Sequence, residues 1–224
     1  MSGQTIVITG ANRGIGLQLA RKYAARLDRV YAVVRESHPE LEEVDGVDVI
    51  EGVDVTDEDA LSRLPDRLSS VDIDVLINNA GILHFDGLGN LDFESMRRQF
   101  EVNSLGPLRV TQALLPRMVK PGGKIAIVTS RMGSIADAES SGMYGYRMSK
   151  AAVNMAGKTL ANDLSGDGLA VVLLHPGYVA TDMTNHQGTV HPADSARGLI
   201  ARIDALDMAS TGRFFHMSGE ELPW

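Results

Sequence analysis

The sequence of 224 residues contains no cysteine. This absence excludes disulfide bonds, thiolate nucleophiles and Cys-ligated zinc, and it agrees with a reducing compartment. The six histidines are dispersed, and the closest pair, His186 and His191, does not have the spacing of two metal ligands on one helix. We therefore expect no metal site.

The sequence also lacks long apolar runs and clusters of basic residues. No run approaches the roughly 20 apolar residues that cross a bilayer, and strand-like residues beginning at Ile6 leave no room for a signal peptide. The net charge is −8, and lysine and arginine are scattered. Nucleic acids and anionic membranes require a clustered basic surface. We expect a soluble cytoplasmic protein that binds neither.

Short apolar runs alternate with segments of helical period. The runs are rich in Val and Ile on consecutive positions, which is typical of strands buried on both faces. They span residues 5–10, 29–34, 47–53, 72–79, 123–130 and 169–177, and helical segments span 15–27, 57–68, 94–118 and 149–164. This alternation predicts an α/β fold over residues 1–224, a single domain with a Rossmann-type, doubly wound parallel β-sheet and helices on both faces.

A glycine-rich segment, "TGANRGIG" at 9–16, follows the first predicted strand and opens a helix. Gly10 suits a tight turn, Gly14 permits close approach to a pyrophosphate, and Gly16 allows the helix to pack closely. The N–H groups at the start of the helix attract phosphates. The segment therefore predicts a dinucleotide site, although an ordinary glycine-rich turn would have the same composition.

The segment "YGYRMSK" at 144–150 holds two tyrosines and a lysine. Tyr146 and Lys150 are four residues apart, so a helix would present both on one face. A neighbouring ammonium stabilises phenolate and lowers the pKa of a phenol, which favours proton transfer. Tyr144 has Met148 at the corresponding position, so we expect it to pack or to line a pocket. The alternative for the pair is an aromatic residue beside a snorkelling lysine.

These segments, in this order, resemble the short-chain dehydrogenase/reductase family over nearly the whole chain. The Gly-x-x-x-Gly-x-Gly spacing, "NNAG" (78–81), "EVNSLGP" (101–107), "VTSRMG" (128–133) and "HPGYVATDM" (175–183) carry the resemblance together with the Tyr–Lys segment. The short chain and its ending "LPW" are similar to the small carbonyl reductases of the sniffer and C-factor group.

The resemblance implies a catalytic set of Asn103, Ser130, Tyr146 and Lys150. A buried Asn103 inside a helix needs partners, and holding a water or a helix distortion would provide them. Ser130 and Tyr146 are further apart than is usual in the family, because the polar stretch 136–142 is added between them. Ser134 is therefore a competitor for the role of the serine.

The resemblance also implies a set of cofactor-binding residues. Asp54 matches an aspartate that contacts the adenine, and the turn after the sixth run holds the nicotinamide amide. The full set is Gly10, Asn12, Arg13, Gly14, Ile15, Gly16, Arg35, Asp54, Val55, Asn79, Ala80, Gly81, Tyr146, Lys150, Pro176, Gly177, Val179 and Thr181.

The end of the second predicted strand bears on the choice of cofactor. An NAD site places a carboxylate there for the ribose hydroxyls, whereas arginine suits a 2′-phosphate. The sequence reads "AVVRES", which puts Val34 at the acidic position and Arg35 after it, with Arg13 in the glycine loop. NADP(H) is favoured. Glu36 keeps NAD(H) open, because a shift of one residue would offer its carboxylate to the ribose.

The substrate pocket is expected between the loops after residues 81, 130 and 181. Their side chains are mostly apolar or aromatic and include Ile82, Leu83, His84, Met132, Tyr144 and Met183. We expect an oxidoreductase acting on a small apolar carbonyl or alcohol. The alternatives are a non-catalytic NADP(H)-binding regulatory protein and an NAD-dependent alcohol dehydrogenase. The resemblance further implies a homodimer or homotetramer formed through the helices at 94–118 and 144–164.

Overall fold

The computed structural model describes residues 3–68 and 71–224. Within them, seven strands form one parallel sheet in the order β3-β2-β1-β4-β5-β6-β7. The strands are β1 (Thr5–Thr9), β2 (Arg29–Val33), β3 (Val47–Ile50), β4 (Val75–Asn78), β5 (Lys124–Val128), β6 (Ala170–His175) and β7 (Arg213–His216). The predicted parallel sheet is confirmed.

The helices cover both faces of the sheet, as predicted. They are α1 (Gly14–Ala25), α2 (Pro39–Glu42), α3 (Glu58–Ser62), α4 (Leu64–Arg67), α5 (Phe93–Phe100), a π-helix (Glu101–Leu105), α6 (Gly106–Leu114), α7 (Tyr144–Asp163) and α8 (Pro192–Asp204). Two main apolar clusters fill the space between the layers. Residues of α1 and α8 pack on one face, and residues of α3, α4, α6 and α7 pack on the other.

The helical segment predicted at 94–118 is not continuous. A π-helix separates α5 from α6, and a 3₁₀ turn at Leu115–Arg117 ends the segment. The segment predicted at 57–68 is divided into α3 and α4, because Pro65 cannot donate a backbone hydrogen bond inside a helix. The sequence reading assigned neither α8 nor β7, whose four residues make a weak strand signal.

The order of the strands places the candidate site. β1 lies between β2 and β4, so the chain leaves β1 toward one side of the sheet and returns to the other side through β4. In open parallel sheets the crevice outside the carboxyl ends at such a reversal is where ligands bind. The glycine-rich loop after β1 and the "NNAG" segment at the end of β4 both lie there.

Candidate active site

The glycine loop after β1 has a conformation that only glycine adopts easily. Gly10 and Gly14 have φ of 66° and 55°, in the left-handed region. A Cβ at Gly10 would lie 2.9 Å from Cα of Ala80, and one at Gly16 would overlap the carbonyl oxygen of Gly10. The loop and the start of α1 are therefore packed directly against the chain that leaves β4.

Polar groups at the ends of β1 and β4 join the two strands. The hydroxyl of Thr9 accepts from the backbone N–H groups of Asn79 (3.0 Å) and Ala80 (3.1 Å). The side-chain amide of Asn79 donates to the carbonyl oxygens of Thr9 and Gly10. Asn79 thus holds the glycine turn in place, which is a structural task that its position in "NNAG" alone did not reveal.

The loop forms a cradle that fits the phosphates of a dinucleotide. No side chain caps the N-terminus of α1 among the described residues, so its first N–H groups are available to a ligand as donors. A Cβ at Gly14 would lie 3.2 Å from Cγ2 of Thr181, which puts the loop after β6 on the opposite wall. Backbone donors without bulky side chains between two close walls are what a pyrophosphate requires.

The remaining predicted cofactor residues after β6 lie beside this cradle. Gly177 has φ of 86°, and the carbonyl oxygen of Pro176 accepts from the Ser195 hydroxyl at 2.7 Å. Val179 is buried and pairs with Val190 in an isolated parallel bridge. These contacts fix the turn to the start of α8, an element that the sequence reading did not assign.

At the end of β2 the structure shows an ion pair. Nη1 of Arg35 lies 3.7 Å from a carboxylate oxygen of Asp54. Although burial opposes the shift, hydrogen bonds from Thr56 and the nearby guanidinium lower the pKa of Asp54. Val34 is buried, and the carbonyl oxygen of Glu36 accepts from the side chain of Asn12.

Two further predicted cofactor residues pack their side chains against the apolar core, Ile15 half-buried and Val55 buried. Ile15, in the first turn of α1, packs against one apolar cluster, and Val55 belongs to the other. A Cβ at Gly106 would lie 2.9 Å from Cγ2 of Val55, so this valine supports α6. Any contact that Ile15 and Val55 make with a cofactor is therefore expected to come mainly from their backbone.

Ser130 and Tyr146 meet at the carboxyl end of β5. Both side chains are buried, and the Ser130 hydroxyl lies near enough to the phenol to lower its pKa. The Ser130 hydroxyl also accepts from the backbone N–H of Met132 at 3.1 Å, because Ser130 caps a 3₁₀ turn. Ser134 instead accepts from the N–H of Asp137. Of the two candidate serines, Ser130 is the one in contact with the phenol.

Lys150 lies one turn along α7 from Tyr146, as the spacing predicts. Its Nζ donates to the carbonyl oxygen of Val128 at 3.0 Å and lies 5.7 Å from the centroid of the Tyr146 ring. A Cβ at Gly133 would lie 2.5 Å from the carbonyl carbon of Lys150, so the turn after β5 packs tightly on α7.

The pKa of the phenol is not lowered as expected. Burial raises the pKa of Tyr146 to about 12, and the hydrogen bond with Ser130 offsets only part of that effect. Burial likewise lowers the pKa of Lys150 to about 8, so its ammonium group loses its proton more easily than that of an exposed lysine. Desolvation is the main cause of both shifts, so the phenol of this site holds its proton at neutral pH.

Asn103 lies in the π-helix, and a helix distortion was one of the two reasons, besides a bound water, that the sequence suggested for a buried amide here. Its Oδ1 accepts from the N–H of Ile82 at 2.8 Å, and its Nδ2 donates to the carbonyl oxygen of Ile82 and to the Ser149 hydroxyl. Single π-helical turns often occur at functional sites. Every polar atom of this amide thus has a protein partner, and its expected water contact stays a prediction.

Sequence reasoning missed Ser149, which links these groups. Its hydroxyl accepts from Asn103 and donates to the carbonyl oxygen of Tyr146 at 2.8 Å. Its own carbonyl oxygen accepts from the Ser104 hydroxyl at 2.7 Å. The available signal was a small hydroxyl residue directly before Lys150, on the side of α7 that faces the π-helix.

The mouth of the site lies where three loops meet. A cleft of about 170 Å³ is bounded by Arg13, Gly81, Ile82, Leu83, Asp182 and Met183. Arg13 and Asp182 form an ion pair across it at 3.3 Å. The loops after 81 and 181 both border this cleft, and a substrate pocket that also includes the loop after 130 stays a prediction. Of the other expected pocket residues, His84 and Tyr144 are exposed and Met132 is half-buried.

The described residues include no group of three or more acidic or His side chains that would hold a metal ion. None of the helices in residues 3–68 and 71–224 is long and apolar enough to cross a membrane.

The sequence and the fold of this chain are similar to those of known proteins. The sequence model of the short chain dehydrogenase family matches residues 4–190. The chain belongs to the short-chain dehydrogenase/reductase family. A relative from Rhodococcus sp. (strain AD45), 1-hydroxy-2-glutathionyl-2-methyl-3-butene dehydrogenase, is 42% identical over 98% of this chain and 99% of that protein.

Two other family members support the narrower resemblance to small carbonyl reductases and the C-factor group. The C-signal protein of Myxococcus xanthus is 49% identical over 68% of this chain and 93% of that protein. The structure of an NADPH-bound carbonyl reductase from chicken fatty liver superposes with a TM-score of 0.89 at 27% identity, covering 100% of both chains. The resemblance stated from the sequence motifs is therefore confirmed.

Proposed function

We propose that this protein is an NADP(H)-dependent oxidoreductase that reduces a small apolar carbonyl compound. The observation that carries the proposal is the buried Tyr146, beside Ser130 and one helical turn from Lys150. This group lies beside a glycine cradle with the shape for a dinucleotide. A proton donor next to a cofactor cradle is the arrangement that hydride transfer to a carbonyl requires.

The residues would divide the work as follows. The nicotinamide cofactor, when bound, supplies the hydride. The Ser130 hydroxyl donates a hydrogen bond to the carbonyl oxygen as negative charge develops on it. Tyr146 then gives that oxygen its proton, for which a phenol with a pKa of about 12 is in the correct form at neutral pH. Lys150 would bind the nicotinamide ribose, and its Nζ lies 5.7 Å from the centroid of the Tyr146 ring.

The protein also shields the site and fixes its walls. Ser130, Tyr146 and Lys150 are buried, and a site with little solvent strengthens each polar interaction there. Asn103 holds both backbone groups of Ile82. The wall of the mouth is thereby tied to the π-helix.

The preference for NADP(H) rests on the arginines. Arg35 and Arg13 are more than half exposed, and each has one exposed or half-exposed carboxylate partner. Surface ion pairs of this kind are worth about 0–1 kcal/mol, so a 2′-phosphate would compete well for a guanidinium. The NADPH bound to the carbonyl reductase from chicken liver supports the same choice.

A second candidate is the oxidation of an alcohol. The Rhodococcus relative is by its name a dehydrogenase of a glutathionyl alcohol and matches almost the whole chain. The same residues would serve, with Tyr146 accepting the proton. A non-catalytic regulatory role has a weaker basis, since a sensor needs no buried proton donor.

The candidate assembly is a homodimer or homotetramer. Exposed apolar side chains on α5 and α7, Phe93, Met148 and Met155, support it. Light scattering on the purified protein would test this assembly, and a monomer at micromolar concentration would contradict it. The single domain over residues 1–224 and the cytoplasmic location stay predictions.

The deciding experiment is a fluorescence titration of the purified protein with NADPH and then NADH. A panel of aromatic aldehydes, diketones and quinones follows in the same cuvette, and alcohols are added with NADP⁺. We expect tight NADPH binding and its oxidation on adding a carbonyl. Binding without turnover of any compound would move the assignment to the regulatory role, and tighter binding of NADH would contradict the arginine argument.

A further inference from the structure

The helix that carries Tyr146 and Lys150 begins without a cap of its own. The residue before α7, Met143, has φ of 53° and makes no side-chain cap. The first N–H groups of a helix have no partner inside the helix and must find one elsewhere. Because Tyr146 is the third residue of α7, the way this end is held also sets where the phenol lies.

The missing cap comes from a distant loop. Asp86, in the chain that follows β4, is buried, and its Oδ1 accepts from the N–H of Tyr144 at 2.6 Å. Its Oδ2 accepts from the N–H of Gly145 at 3.1 Å, and its carbonyl oxygen accepts from the N–H of Met143 at 2.8 Å. One residue thus satisfies three consecutive donors at the start of α7.

The segment 82–86, which ends in this cap, is fixed at every second residue. Ile82 is held by Asn103, and the N–H of His84 donates to Oε1 of Gln99 at 3.1 Å. The same segment supplies Ile82 and Leu83 to the mouth of the site. Asp86 therefore joins a wall of the mouth to the first turn of the catalytic helix.

The fit around this junction leaves little room for adjustment. A Cβ at Gly145 would lie 2.7 Å from Nε2 of Gln99 and 2.9 Å from Cγ of Met96, so α7 begins in close contact with α5. Ser130, in contrast, belongs to the turn after β5. A shift of the first turn of α7 would therefore move Tyr146 away from Ser130.

We propose that Asp86 is a positioning residue for Tyr146, and this proposal rests on the proposed reductase function. Its two carboxylate oxygens hold the first turn of α7 so that the phenol keeps its place beside Ser130. A carboxylate suits the task because both oxygens accept and its charge complements the N-terminus of a helix. An asparagine would keep one acceptor and point an N–H toward another donor.

The test uses Asp86→Ala and Asp86→Asn, with Asp92→Ala as the matched control. Asp92 caps α5 through two backbone N–H groups, both at 3.0 Å, but the helix it caps does not carry Tyr146. A displacement of about 1 Å at a reacting group can cost on the order of 100-fold in rate. We expect kcat to fall about 10- to 100-fold in Asp86→Ala and less in Asp86→Asn, with unchanged NADPH affinity.

Equal loss of kcat in Asp86→Ala and Asp92→Ala, or unchanged kcat in Asp86→Ala, would overturn the proposal. Amide hydrogen exchange on the same proteins gives a readout that does not need turnover. We expect faster exchange over residues 144–150 in Asp86→Ala only. If the unaltered protein turns over no compound, the reductase function fails, whereas unchanged exchange in Asp86→Ala refutes the positioning role itself.

Discussion

Asn103 makes two hydrogen bonds with the backbone of Ile82. Its Oδ1 accepts from the N–H at 2.8 Å, and its Nδ2 donates to the carbonyl oxygen at 2.9 Å. Ile82 comes directly after "NNAG", so this pair of bonds fixes the chain where it leaves the cofactor crevice and enters the mouth of the site. The π-helix is what brings the Asn103 amide to this position.

We predict that Asn103→Leu lowers the free energy of unfolding by about 2–4 kcal/mol, because it removes the hydrogen-bond partner of the half-buried Ile82 backbone groups and of the buried Ser149 hydroxyl. The control is Asn154→Leu, which removes another buried amide whose Oδ1 accepts from the Thr129 hydroxyl and which does not hold a backbone segment. Urea unfolding measures both. If the free energy of unfolding falls no more in Asn103→Leu than in Asn154→Leu, the proposed role of Asn103 in holding Ile82 is contradicted.

The second prediction concerns cofactor choice at the end of β2. Arg35→Ala should weaken NADPH binding about tenfold, which corresponds to about 1.4 kcal/mol, and should leave NADH binding nearly unchanged, because only NADPH carries the 2′-phosphate. Arg29→Ala is the control, since Arg29 pairs with Asp48 at 3.5 Å at the opposite end of the same strand. Fluorescence titration measures both cofactors. Equal weakening of NADPH and NADH would count against the phosphate contact.

The sheet was predictable because its signal is local. The strands that are buried on both faces are rich in Val and Ile, as at 5–10. This pattern can be recognised from the residues of the strand itself. β7 was missed because its local signal is weak. It has four residues, and Phe214 is the one among them that is fully buried. Its place at the edge depends on pairing with β6, which no local pattern encodes.

The residue types of the site were predictable, but their energetics were not. The spacing of Tyr146 and Lys150 places them one turn apart on α7, as the structure shows. The direction of the phenol pKa depends on how deeply both groups are buried, which only the packing of α7 against the turn after β5 determines. Asp86 and Ser149 were missed because their partners lie in other segments of the chain.

The third prediction tests the proton donor. Tyr146→Phe should keep NADPH affinity within about threefold and lose turnover by about 100- to 10,000-fold, the usual size of general acid catalysis. Tyr23→Phe is the control, because Tyr23 is also a buried phenol whose pKa is raised by burial but lies in α1. Single-turnover oxidation of NADPH measures the effect. Full turnover in Tyr146→Phe would remove the phenol from the acid role.

The raised phenol pKa also predicts how the two reaction directions depend on pH. Carbonyl reduction needs the protonated phenol, which predominates below a pKa of about 12. Alcohol oxidation needs the phenolate, so its rate should rise between pH 7 and 9 while the reduction rate does not. Initial rates in both directions, taken with saturating cofactor at each pH, test this. An oxidation rate that is flat over this range would contradict a phenol with a raised pKa.

The last prediction concerns acid stability. His175, at the end of β6, lies with its ring 5.2 Å from that of His216. Burial, with smaller contributions from His216 and Arg131, lowers the pKa of His175 to about 3. Between pH 6.5 and 3, His175 is therefore protonated in the unfolded chain but not in the folded protein. The free energy of unfolding should fall as pH falls through this window.

His175→Gln should remove part of that loss, because one titrating group contributes up to about 1.4 kcal/mol per pH unit. Urea unfolding at pH 6.5, 5.5 and 4.5 gives the slope of stability against pH for each protein. His84→Gln is the control, since it removes an imidazole that is exposed rather than buried. Identical slopes in His175→Gln and the unaltered protein would mean that His175 binds its proton equally in the folded and unfolded states.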